Sequence, residues 1–230
     1  HSDLRTLFSE VNNKLEKISK TRDYYTNGMY SPNGKKVVYE KNVGRNTHIF
    51  IADQNGENEL NLTSKLGDSE NRIPIWHPDG QSIIFYSDQS NKNDIYKVNI
   101  SDAKIINLTK SNTGNDFSPS ISPDGKQIAF FSDRSGYLDL FLMDLTGENQ
   151  RSLTAELHNK NNEYNYYADA NMYWIFKSSW SPNGKKIVFS NAVKDNIDLF
   201  TINSDGTQLT KITNSAKSEY TPYWGMLLEN

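Results

Sequence analysis

Four reverse-turn tetrads at a near-constant spacing, an apolar strand after each, and a Thr-ended strand closing each period predict an all-β fold. The predicted architecture is a five-bladed β-propeller of four-stranded antiparallel blades, its ring closed by a composite blade made from both termini. The tetrads are Ser31-Pro32-Asn33-Gly34, His77-Pro78-Asp79-Gly80, Ser122-Pro123-Asp124-Gly125 and Ser181-Pro182-Asn183-Gly184, with glycines 46, 45 and 59 residues apart. In each, Pro presets φ near −65°, Asn or Asp suits the next position, and Gly accepts the positive φ that ends the turn.

The strands follow in order. After the tetrads come Val37-Val38-Tyr39, Ile83-Ile84-Phe85-Tyr86, Ile128-Ala129-Phe130-Phe131 and Ile187-Val188-Phe189, which are β-branched and aromatic. A second run comes about ten residues later: Ile49-Phe50-Ile51, Ile95-Tyr96-Lys97-Val98, Leu140-Phe141-Leu142-Met143 and Leu199-Phe200-Thr201-Ile202. A third ends on Thr63, Thr109, Thr154 or Thr213, and a fourth leads through Trp76, Ile121, Trp180 or Trp224 to the next period. Four strands in about 45 residues is the length of a propeller blade. Four complete blades then lie between about 21 and 217. Leu15 to Ser19 repeats the register of Leu209 to Thr213, with Leu4 to Val11 as the strand before it, and Tyr220 to Trp224 repeats the inner strand, with Gly225 to Glu229 as its successor. Residues 1–20 and 218–230 therefore make the composite blade, and 1–230 is one propeller domain.

Composition narrows the function classes. The chain has 230 residues, a net charge of −3 and 12% aromatic residues, a balance that favours folding over disorder. No basic face suggests nucleic acid, and no apolar run approaches the 18 or so residues of a spanning helix. Cysteine is absent, which excludes disulfides, thiolate metal sites and cysteine nucleophiles. The chain opens His1-Ser2 rather than on Met, which reads as a processed or trimmed start with any leader removed.

Three places are candidates for chemistry. From the closing Thr or Ser to the inner-strand aromatic or its equivalent, the interval is 11, 13, 12 and 11 residues, but from Thr154 to Trp180 it is 26. The insertion at about 155–174 carries Tyr164, Tyr166, Tyr167, Tyr173 and Trp174, rigid amphipathic rings suited to protein recognition or sugar stacking. The alternative is that these rings pack on the insertion's own underside. Arg72, Asp116, Lys177 and Glu219 fall just before the inner-strand aromatic or apolar positions, where they would line a channel mouth able to hold a peptide terminus or a zwitterion. The alternative there is a solvated shaft. Asp94, Asp139 and Asp198 recur at one repeat position, which argues for a structural role bonding turn backbone, with His48 in the same slot. No zinc spacing, phosphate loop or nucleophile elbow is legible, so neither cofactor nor metal is expected.

The tetrads, the Ser-Asp pairs at 87–88 and 132–133, the Asp-Leu-Phe at 139–141 and 198–200, and the closing Leu-Thr together resemble the repeat of TolB-like β-propellers. Similar repeats occur in the propeller domains of prolyl-oligopeptidase-type and tricorn-type proteases. The resemblance implies a periplasmic or extracellular scaffold that binds proteins or peptides, or gates a neighbouring catalytic domain. The chain departs from the TolB protein in lacking an N-terminal α/β domain and in counting five blades where that propeller has six.

The expected function is accordingly a non-enzymatic binding module of the cell envelope or exterior, a monomer that engages a protein or peptide through the Tyr-rich insertion and neighbouring loops. A saccharide-binding or saccharide-active site at the channel mouth is the alternative, since the family includes lyases. A further one is a domain that gates or tethers a larger protein.

Overall fold

The computed structural model describes residues 8–11, 14–17, 25–110, 113–159, 175–193, 196–214 and 217–224. The chain divides into two compact units, His1–Asn107 and Leu108–Asn230. Among the described residues there are four four-stranded antiparallel sheets and one hairpin, and no helix is long and apolar enough to cross a membrane.

The first unit begins with the hairpin β1 (Phe8–Val11) and β2 (Lys14–Lys17). Two sheets follow, in spatial order of the chain: β3 (Tyr25–Tyr30), β4 (Lys36–Val43), β5 (Asn46–Asp53) and β6 (Leu60–Asn61), then β7 (Asn71–Trp76), β8 (Ser82–Ser87), β9 (Asp94–Asn99) and β10 (Ile105–Asn107). Val38, Ile49, Ile51 and Leu62 of the first sheet pack on Trp76, Ile83, Phe85, Tyr96 and Val98 of the second in one core. The second and third strands of each sheet are covered on both faces. That is why their sequences read as unbroken apolar runs rather than alternating ones. Trp76 donates its indole N–H to the Met29 carbonyl at 2.9 Å, tying the two inner strands.

The second unit repeats the plan with β11 (Asp116–Ile121), β12 (Gln127–Ser132), β13 (Asp139–Asp144) and β14 (Arg151–Ser152), then β15 (Ser178–Trp180), β16 (Lys186–Val193), β17 (Asn196–Asn203) and β18 (Thr210–Lys211). Each four-stranded sheet carries one aromatic pair between its second and third strands: Tyr39 with Phe50, Phe85 with Tyr96, Phe130 with Phe141 and Phe189 with Phe200, at 5.6 to 6.1 Å between centroids. Such pairs contribute about 0.5–1.5 kcal/mol each beyond their buried area.

Three of the four tetrads, those that begin with Ser, close the hairpins between inner and second strands by one device. Ser31 Oγ donates to Asn33 Oδ1 at 2.8 Å and accepts the Lys36 amide at 3.0 Å, while Gly34 takes φ 70°. Ser122 and Ser181 do the same with Asp124 and Asn183. The Ser-Asp pairs work at the other end of these strands, where Asp88 accepts the Glu70 amide at 2.8 Å and Asp133 the Asn115 amide at 2.6 Å.

The recurring aspartates are structural, as their repetition suggests, and each bonds neighbouring side chains. Asp139 accepts the Thr154 hydroxyl at 2.8 Å and the Ser135 hydroxyl at 2.7 Å. Asp198 accepts from Thr213 at 3.2 Å, and Asp94 from Asn107 at 2.7 Å and Ser90 at 2.5 Å. The closing Thr in turn accepts a backbone amide of the third strand: Ile49 to Thr63, Leu140 to Thr154 and Leu199 to Thr213, at 2.8 to 3.0 Å. His48 is buried at the aspartate slot, its Nδ1 3.1 Å from Thr63 Oγ1.

At the ends, the hairpin pairs Phe8 with Lys17, the register in which Phe50 faces Asn61, Tyr96 faces Asn107, Phe141 faces Ser152 and Phe200 faces Lys211. The segment 218–224 forms no strand, although Thr221 takes the left-handed φ (53°) that Asn27, Ile73 and Ser118 take at the same repeat position. Gly225 to Glu229 lies outside the described residues.

Candidate functional site

In the first unit the non-repeating polar groups gather where β3 and β7 begin. Both strands bulge there, between Thr26 and Met29 and between Arg72 and Ile75. Arg72 is half-exposed and donates from Nη2 to Glu70 at 2.7 Å, while its Nη1 lies 3.5 Å from Glu40 Oε2. Glu40, on β4, is 1% exposed, and its Oε1 accepts both the Asn27 amide group at 2.7 Å and the Ile73 backbone N–H at 2.6 Å. Asn71 is buried and donates to the Thr47 carbonyl at 2.9 Å, so it joins the two sheets.

Tyr86 occupies on β8 the repeat position that Glu40 occupies on β4, six residues after the tetrad glycine. Burial and the negative field of Glu40, Glu70 and Asp88, opposed by Arg72, push its phenol up from 10.0 to about 12. A raised folded-state value means that the folded state holds the proton longer than the unfolded chain. Its contribution is therefore complete below pH 10 and is lost as pH rises through 12. Wild type is expected to lose about 1 kcal/mol more than Tyr86→Phe between pH 9 and pH 11. Urea melts at the two pH values measure this, and equal losses in both proteins would refute it.

In the second unit Asp116 is fully buried. Its carboxylate accepts Arg134 Nη2–H at 2.8 Å, and the same guanidinium donates to Ser132 Oγ at 2.9 Å and Gln150 Oε1 at 2.5 Å. Arg134 also lies over Phe141 at 4.6 Å and Phe130 at 5.4 Å. Asp116 thus serves an internal network. Lys177 is half-buried, and its amide donates to Ser190 Oγ at 3.1 Å. Glu219 is half-buried, with its amide on the Ile197 carbonyl at 2.8 Å. Of the four channel candidates, Arg72 lies in the first unit and the other three in the second.

Tyr164, Tyr166, Tyr167, Tyr173 and Trp174 lie outside the described residues. The flanks of their segment are described. On one side Leu157 is buried and its amide bonds the Thr154 carbonyl at 2.9 Å. On the other, Ile175 and Phe176 are buried, Ile175 O accepts the Ser190 hydroxyl at 3.1 Å, and Phe176 packs on Phe131 at 5.8 Å. Among the described residues no group of three His, Cys, Asp or Glu side chains is placed to hold a metal ion.

Sequence reasoning missed Glu40 and Arg134. Glu40 was detectable as the one acid in a slot that Tyr86, Phe131 and Ser190 fill elsewhere.

Antiparallel four-stranded sheets repeating about every 45 residues, each opened by the same tetrad turn, define the class of β-propeller repeat proteins. The chain belongs to the TolB beta propeller domain family, whose model matches residues 7–164. Among solved structures it is similar to TolB from Acinetobacter baumannii, at 20% identity and TM-score 0.67, over 90% of this chain and 48% of that one. It thus spans about half the length of that protein. It is also similar to a puromycin-hydrolyzing peptidase of Mycobacterium tuberculosis (15%, TM-score 0.63, 86% of this chain and 30% of that one). A third is an oligogalacturonate lyase from Vibrio parahaemolyticus (12%, TM-score 0.62, 86% and 56%). At these identities the likeness is one of fold. None of the curated proteins matches the chain.

Proposed function

We propose that this TolB-like propeller is a non-enzymatic binding scaffold of the cell envelope or exterior, a monomer that takes a protein or peptide partner through the Tyr-rich segment and neighbouring loops. The anchoring of Leu157, Ile175 and Phe176 carries this reading. A segment whose two ends are fixed in the core loses less conformational entropy on binding than a free one. Tyr164, Tyr166, Tyr167, Tyr173 and Trp174 would supply the contact area, joined by Lys177, which follows Phe176 in the chain, and by Glu219. Asp116 enters as a buried support rather than a contact, and Arg72 as a rim group of the first unit. Two observations support a five-bladed ring closed by the termini: the blade-like register of the β1–β2 hairpin and the left-handed Thr221.

A second reading is a gating or tethering domain, favoured by the coverage of only 30% of the peptidase. The test is retention of proteins from native envelope extract on the immobilised chain and on its Tyr166→Ala, Tyr167→Ala variant. A protein retained by the wild type and reduced at least about tenfold on the folded variant is expected, equivalent to about 1.4 kcal/mol. The same proteins on both baits would sink the reading.

A further inference from the structure

The Glu40 slot breaks the repeat in a specific way. At this position Tyr86, Phe131 and Ser190 are uncharged at neutral pH, whereas Glu40 carries a carboxyl group and is almost completely enclosed. An enclosed carboxylate persists only where donors converge on it. Three converge here, from two different inner strands: the side-chain amide of Asn27 and the backbone N–H of Ile73, both on Oε1, with the Arg72 guanidinium beside Oε2. The two donors on Oε1 belong to left-handed residues, Asn27 at φ 52° and Ile73 at φ 53°. Asn tolerates that region. For Ile, branched at Cβ, it is strained, and such a conformation persists only when its surroundings hold it.

We propose that the starts of β3 and β7 form a carboxylate-binding cradle whose resident ligand is the Glu40 side chain. Occupancy of the cradle by a carboxylate holds the Ile73 bulge and with it the face that carries Arg72. The charged groups around it are Arg72 and Glu70 on the β7 side and Asp88 on the β8 side, and each of them also acts on the Tyr86 phenol. The recognition is therefore by directed donors rather than by net charge, since acids outnumber bases at this place. The chemical class that fits is a small planar carboxylate, and the cradle should accept one from solution once its own is removed.

The test is chemical rescue of the full chain. In Glu40→Ala, sodium formate is expected to raise Tm saturably by about 3 °C over sodium chloride at equal ionic strength. Wild type and Glu40→Gln should show no difference between the salts, because their cradles are filled. Equal Tm values for Glu40→Ala in the two salts would overturn the proposal, as would a formate effect of the same size in wild type. If Glu40→Ala does not fold in either salt, the wild type decides. The amide proton of Ile73 should then lie downfield in wild type and move upfield in Glu40→Gln, whose acceptor is uncharged, and an Ile73 amide at the same shift in both would overturn the cradle.

Discussion

Changing Arg134 to Leu is expected to lower the stability of the 108–230 unit by about 3–5 kcal/mol, because it takes the guanidinium away from a buried acid. Asp116 is fully enclosed, and Arg134 meets it at 2.8 Å while bonding Ser132 and Gln150. Leu keeps some of the apolar cover over Phe130 and Phe141, so loss of packing is the smaller part of the effect. The larger part is the carboxylate, which cannot regain water without opening the sheet. Urea unfolding followed by tryptophan fluorescence measures the loss. Neutralising the acid in the same molecule, as Asp116→Asn with Arg134→Leu, should recover more than half of it, since the two sites are directly coupled. A single-variant loss under about 1 kcal/mol would show that the pair is solvated and its burial transient.

The second large effect falls on the closing threonines. Thr154→Val keeps the shape of the side chain and removes both roles of its hydroxyl, the acceptor for the Leu140 amide at 3.0 Å and the donor to Asp139 at 2.8 Å. With the site buried, the expected cost is about 2–4 kcal/mol, the sum of a desolvated amide and a carboxylate deprived of one donor. Thr154→Ser retains both bonds and should cost about 1 kcal/mol for the methyl group. Thr213, two residues after β18, makes the same two bonds but is only half-buried, so Thr213→Val should cost visibly less. Thermal unfolding of the three variants gives the ordering. Equal losses for Thr154→Val and Thr154→Ser would mean that the hydroxyl is not what closes the sheet.

These two cases show where sequence reading succeeds and where it stops. The tetrads, the apolar runs and the Trp positions are legible because their causes are local: a turn preference, a doubly covered strand, a residue that recurs at one register. The role of Asp139 as structure was legible from recurrence, but its partner was not. Thr154 lies 15 residues away across two strands, and no spacing rule connects them before the hairpin is built. Asp116 reads as a channel group because it falls just before the inner-strand position Ile121. The Arg134 that claims it lies 18 residues on, in the loop after β12. The long interval between Thr154 and Trp180 marks an insertion, and the structure adds its anchors, Leu157, Ile175 and Phe176, whose burial only a folded neighbour such as Phe131 could reveal.

The closing bond has a kinetic consequence as well. It joins residues only 14 apart in sequence, Ile49 with Thr63, Leu140 with Thr154 and Leu199 with Thr213, and among the described residues each strand pairing within a sheet is between neighbours in the chain. For an all-β protein this is an unusually local set of contacts, and the loop-closure entropy to be met before any one sheet forms is correspondingly small. Each of the four four-stranded sheets is therefore able to nucleate as soon as its own 45 or so residues are available, whereas the blade proposed from both termini waits for the whole chain. Folding of this chain should proceed sheet by sheet, with the threonine hydroxyl as the last tie made in each.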